Sequence, residues 1–251
     1  MASVRGPPAM SLHQIMLGMA TPAVEAELEG ARIVDFPLRG EWRAVHTPGS
    51  RIPSHGTDML GQRYAFDLMR FDPGNGSRYH PASALRTLLL GVPTHECHGW
   101  GEPIHAPLDG EVVAARDGLQ ERIRIHPVRE LGLVLKNGLT FRPTPRHLHR
   151  VMGNYVILRS GDVYAGFAHL TTGSVAVEAG QLVRVGQVLG RVGHTGNSTA
   201  PHLHFQLMDG PDPLSAHGIP CAFREYEVWR DGGWQRVEHA IPKSTDRIRS
   251  A

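Results

Sequence analysis

A chain of 251 residues with 41% hydrophobic and 20% charged residues is composed like a folded globular protein, which excludes wholesale disorder. A formal charge of +2 with no block of Lys and Arg argues against a nucleic-acid protein, and no run reaches the roughly 18 apolar residues of a transmembrane helix. Two cysteines, Cys97 and Cys221, allow at most one bridge and rule out a Cys-based zinc ribbon, whereas 16 His justify a search for a metal site.

In chain order, residues 1–30 read as an N-terminal arm with at most one short helix, and Glu and Pro interrupt any continuous export-signal core there. Residues 31–240 read as one β domain, because 29 Gly and 19 Pro punctuate many short β-prone runs. ARIVDFPLRGEWRAVH opens it, followed by SHGTDMLGQRYAFDL at 54–68. A first insertion at 69–100, rich in Pro, Gly and polar groups, is expected to wall a cleft. Core strand returns in APLDGEVVAARDG at 106–118, and a second insertion, 119–150, mixes Arg, His and Pro with short apolar runs and fixes no structure by its pattern. NYVILRS and VYAGFAHL flank a Gly161-Asp162 turn as a hairpin. Gly at 180, 186, 190 and 193 suits short curved strands, HTGNSTAPHLHFQLMDG adds a loop and a strand, and EYEVWRDGGWQRVEH a further hairpin over Asp231 to Gly233. Residues 241–251 read as a C-terminal tail. The expected class is all-β, mainly antiparallel, with two loop-rich insertions.

The sharpest chemical feature is His202-Leu203-His204, because residues i and i+2 of a strand point to one face. Alone it is a weak signal in a chain with a second such pair at His147 and His149. Its context is stronger, since the small polar turn GNSTAP delivers the pair as a strand begins. The run His95-Glu96-Cys97-His98 offers mixed donors, but adjacent residues rarely converge on one ion.

Residues 153–210 resemble the catalytic core of the lysostaphin-type zinc metallopeptidases. The resemblance rests on the strand ending in AHL, on VEAGQLVRVGQVLGRVGHTGNST and on PHLHFQL, and reaches back through APLDGEVV and YAFDL to cover about half the chain. It implies a duplicated-hybrid-motif β-sandwich and a zinc ion with Asp67 and His204 as ligands. It also implies that His169 and His202 handle the water and the developing oxyanion. Three protein ligands leave a position open on the ion. The usual early His lies four residues before the Asp, where this chain has Arg63, which cannot bind zinc. His55 is the substitute: SHGTDMLGQRYAFDL reads as two strands around Gly61 that set His55 opposite Asp67, and it resembles a variant branch of the family with a Ser-His-Gly-Thr stretch. His194 matches no family ligand and reads as a loop residue.

The substrate class the resemblance implies is peptidoglycan, cleaved at peptide bonds, which implies action in the cell envelope or outside the cell. The competing reading, carried by Arg63, is a non-catalytic binding or activating module. A biotinyl or lipoyl carrier is set aside because residues 137–242 contain no Lys to carry the group.

Overall fold

The computed structural model describes residues 28–73, 76 and 78–251; the N-terminal arm expected over 1–30 lies almost wholly outside them. The first half of the described chain contains β1 (Arg32–Val34), β2 (Glu41–His46), β3 (Phe66–Met69), α1 (Ala84–Leu90), β4 (Val92–Pro93), β5 (Pro103–His105) and β6 (Gly110–Arg116). Next come β7 (Arg124–Ile125), α2 (Pro127–Thr140), α3 (Pro145–Met152), β8 (Asn154–Ser160), β9 (Val163–Leu170), β10 (Leu182–Val183) and β11 (Val188–Arg191). The chain closes with β12 (Leu203–Met208), β13 (Gly218–Ile219), β14 (Cys221–Arg230), β15 (Gly233–Ala240) and β16 (Arg247–Arg249).

One large sheet runs in the order β1-β14-β16-β2-β3-β12-β9-β8-β6-β10, with β13 on β12 and β15 on β14. The β1–β14 pair is parallel and the other pairs of this sheet are antiparallel, so the mainly antiparallel all-β class holds. Residues alternate between its faces with the strand period of two. Val156 and Leu158 enter the main core with Trp42, Phe167, Phe205 and Phe223, whereas Tyr155 and Ile157 join Ala168 and Met208 on the opposite face. A small sheet of β5 and β11 adds Ile104 and Leu189 to the main core, and α3 adds Leu148 and Met152 to the other.

Two expectations change, and one open question closes. The insertions are not merely loops, for the three α-helices of the described residues begin in them, as does a β4–β7 pair that ties one insertion to the other. Local chemistry explains the starts: Ser83 caps α1 by accepting from the Arg86 N–H, Pro127 opens α2, and Thr144 caps α3 just before Pro145. Residues 241–251 are not a free tail, because β16 fills the place between β14 and β2. Both cysteines are buried and free, so no bridge forms. Among the described residues no helix is long and apolar enough to cross a membrane.

Phe205 is fully buried on the strand that carries His204, against Phe66, Phe167 and Phe223. Phe205→Ala is expected to lower stability by about 3–5 kcal/mol. Urea unfolding measures this, and an unchanged midpoint would remove the ring cluster as the support of the central strands.

Candidate active site

Strand register builds the site. His204 of β12 lies opposite Asp67 of β3 on one side and Ala168 of β9 on the other, so these residues form a row across the middle of the sheet. His204 Nδ1 is 2.9 Å from Asp67 Oδ1, and His202 Nε2 approaches the same oxygen at 3.4 Å. The other oxygen, Oδ2, meets His46 Nδ1 at 2.8 Å and His55 Nε2 at 3.0 Å. Asp67 is 7% exposed, so a nearly buried carboxylate is surrounded by the imidazoles of His46, His55, His202 and His204.

Two β-bulges bring in residues that plain alternation would leave out. Ala44 pairs with Leu68, both in the main core, but the next paired residue is His46 with Asp67. The extra residue, Val45, turns His46 away from the core side it would share with Trp42 and Ala44. On β9, Phe167 and Leu170 pair with Val156 and Asn154, so one residue is again in excess, and His169 has φ +66°. This left-handed backbone keeps His169 out of the core that holds Phe167 and Leu170. Its Nδ1 then donates to the Thr195 carbonyl at 2.9 Å, and its ring centre lies 4.8 Å from that of His202.

His55 reaches Asp67 by a different route from the one its sequence suggested. Residues 54–58 form no strand, Met59–Gly61 is a 3-10 turn, and the strand partners of β3 are β2 and β12. The Ser54 N–H donates to the Arg63 carbonyl and its hydroxyl to that of Gln62, which folds the segment back so that His55 covers Asp67. Arg63 forms an ion pair with Asp58 at 2.6 Å and lies over the Tyr64 ring.

Behind the site runs a buried polar chain. His202 Nδ1 donates to the Ala200 carbonyl at 2.7 Å and lies 3.2 Å from the Ser198 hydroxyl, which is 3.0 Å from His194 Nδ1. His194 Nε2 faces Arg122 at 3.1 Å and Glu130 at 3.5 Å. Arg122 binds Glu130 at 2.8 Å and donates to the carbonyls of Gly196 and Ser198, while the Asn137 amide donates to Asn197. His194 is therefore fully buried and props the loop that carries His202, a part that its position between strands did not suggest.

No described residue of the first insertion lines the resulting cavity, which has a volume of about 320 Å³. The second does through Val134 of α2, and Val151 and Met152, at the end of α3 just past the insertion, join it facing His55, His169 and His204. His147 and His149 stay outside; His147 Nδ1 accepts from the Arg142 N–H and closes the turn between α2 and α3. The run 95–98 contributes no lining residue either.

Charge separates the imidazoles. Burial opposes ionisation of Asp67, but His202 and His55 beside it outweigh that penalty and hold its carboxyl well below the usual range. Burial keeps His55 neutral, and burial followed by repulsion from His202 and His204 drives His169 well below the ordinary imidazole value. His202 moves the other way, since attraction to Asp67 exceeds its cost of burial. A divalent metal fits the donor set. His55 Nε2 is buried, aims at Asp67 and has no hydrogen-bond partner, and the donor atoms of His46, His55 and Asp67 lie within 4.8 Å of one another. Imidazole nitrogens with one carboxylate are zinc donors.

A mostly β fold thus carries a cluster of imidazoles around one carboxylate that could hold a metal. Residues 96–216 match the profile of peptidase family M23, and the chain belongs to that family in its lysostaphin-type form. The matched stretch includes His169, His202 and His204 and stops short of His46, His55 and Asp67. The chain is 39% identical over 188 residues to the peptidoglycan DD-endopeptidase ShyA of Vibrio cholerae, covering 71% of this chain and 35% of that protein. It is 44% identical over 172 residues to an uncharacterized metalloprotease of Haemophilus influenzae, covering 65% and 29%. The chain thus spans about a third of the length of these curated relatives. Among solved structures it resembles the catalytic domain of lysostaphin from Staphylococcus simulans, at 24% identity and TM-score 0.31, with 57% of this chain and 86% of that one covered.

Gly196 has φ +69°, and a Cβ there would lie 2.4 Å from the Gly153 nitrogen. Gly196→Ala is expected to lower stability by about 1–3 kcal/mol through overpacking. Glu130→Ala, which strands the Arg122 guanidinium, is expected to lose about 3–5 kcal/mol. Denaturant titration of the two variants checks both figures, and wild-type midpoints would show that the polar chain does not hold the loop.

Proposed function

We propose that the chain is a zinc-dependent endopeptidase that hydrolyses peptide bonds in peptidoglycan. His55, Asp67 and His204 hold the ion, and His169 and His202 carry the protons. The observation that supports this most is the meeting of His55 Nε2 and His204 Nδ1 on the two oxygens of one buried carboxylate, beside two further imidazoles in a cavity. His46 has a half-exposed side chain at the mouth, whereas those of His55, Asp67 and His204 are 15%, 10% and 13% exposed, so the buried three are assigned as ligands. His46 orients Asp67 through Oδ2.

Bound zinc would supply Lewis acidity for the scissile carbonyl and ease deprotonation of water. The remaining chemistry belongs to the side chains. With Nδ1 donating to Thr195, His169 presents Nε2 to the cavity, and its neutrality suits it to take a proton from the attacking water. His202, whose Nδ1 donates to Ala200, is biased towards imidazolium by Asp67 and suits the opposite task. It stabilises the carbonyl oxygen as negative charge grows and helps return a proton to the departing amine. The substrate assignment rests on the family and on the DD-endopeptidase name of the Vibrio relative.

His202→Ala is expected to retain zinc and lose about a hundredfold to ten-thousandfold in peptide cleavage. His204→Ala is expected to lose both metal and activity, and His46→Ala to weaken zinc binding about 10- to 100-fold. Metal analysis beside digestion of purified peptidoglycan reads all three. A wild-type chain that neither carries zinc nor takes it up would leave the binding-module reading in place of the enzyme.

A further inference from the structure

Helix α2 is built inside out. Its inward face is polar: Glu130 is 1% exposed and Asn137 8%, the first engaged by Arg122 and the second by Asn197. Val128, Leu131, Leu135 and Leu139 recur at three- and four-residue spacing, which places them on one stripe. That stripe faces outward, at 66%, 58%, 57% and 88% exposure. The neighbouring α1 repeats the inversion, with Thr87 buried and Leu85, Leu88, Leu89 and Leu90 exposed. The β4–β7 pair and the Arg124 side chain, which donates to the carbonyls of Leu90 and Gly91, join the end of α1 to the start of α2. Four exposed aliphatic residues on one stripe of α2, with four more leucines exposed on α1, are more than scattered single exposure explains.

We propose that this leucine surface docks on an anionic lipid bilayer. Charge selects the occupant. Between residues 122 and 150 Glu130 is the sole acidic residue, and it is buried against Arg122; Arg124, Arg129, Lys136, Arg142, Arg146 and Arg150 are all exposed. The apolar stripe is therefore flanked by cations with no exposed carboxylate among them, as in helices that lie in the headgroup layer of anionic membranes. The side chains of the stripe are aliphatic, whereas protein interfaces centre on Trp, Tyr and Arg, and leucine is under-represented among their hot spots. The surface lies on the element that walls the cavity, because Val134 on the other side of α2 faces the site. Docking would hold the cleft about one helix diameter, roughly 10–12 Å, from the membrane. The inference goes beyond the peptidase assignment and uses none of its residues.

The test is flotation of the full chain with vesicles of phosphatidylglycerol and phosphatidylcholine, or of phosphatidylcholine alone. Wild type is expected to float with the anionic vesicles, to stay behind with neutral ones and to release as salt rises. Leu131→Gln/Leu135→Gln is expected to weaken partitioning at least about tenfold with an unchanged urea midpoint. Should that pair disturb α2, Arg129→Gln/Lys136→Gln supplies the same reading from the charges. Absence of wild-type binding, or full binding by both double variants, overturns the proposal. Sedimentation velocity showing a wild-type dimer that the leucine pair dissociates would give the face to a second copy of the chain and overturn it equally.

Discussion

The buried carboxylate of Asp67 is the constraint on which the centre of this molecule turns. An ion taken out of water is costly unless partners replace its solvation. Here the partners are imidazoles from separate parts of the chain: the end of β2, the loop after it, and the start of β12. The row of β3, β12 and β9 fixes the relative heights of Asp67, His204 and Ala168, and the bulges at Val45 and His169 rotate two further side chains into that row. The aromatic core on the reverse face holds the strands at fixed spacing, so the main core and the site occupy opposite sides of one sheet.

A second ionic pair organises the rim. Arg122 and Glu130 come from the second insertion, yet their hydrogen bonds reach the Gly196–Ser198 backbone and His194. The helix that supplies Glu130 is therefore fastened to the loop before His202 by polar groups rather than by an apolar stripe. That choice leaves its leucines outward and makes one element both cavity wall and exposed apolar face.

Much of the geometry of the candidate site was legible in the sequence. His202 and His204 share a face because strands have a period of two, and the motifs around them marked Asp67 and His169. The approach of His55 to Asp67 was also anticipated, although a folded loop, not a strand pair, achieves it. His46 escaped because alternation through EWRAVH puts it on the face of Trp42 and Ala44, and nothing local announces the bulge that moves it. His194 escaped for a different reason: its partners, Arg122 and Glu130, lie more than sixty residues away in a segment whose pattern fixed no structure. The 127–140 helix has helical spacing of its leucines, but Gly132 and Gly138 weaken that signal and its apolar face does not point to the core.

X-ray absorption at the zinc edge of the purified chain tests the central claim most directly, because it reads the ligand set without substrate. Tightly bound zinc is expected, surrounded by nitrogen and oxygen at about 2.0–2.2 Å with the signature of imidazole, lost in Asp67→Ala and kept in His202→Ala. Zinc bound equally by Asp67→Ala, or a sulfur shell at about 2.3 Å drawn from Cys97 or Cys221, would contradict it.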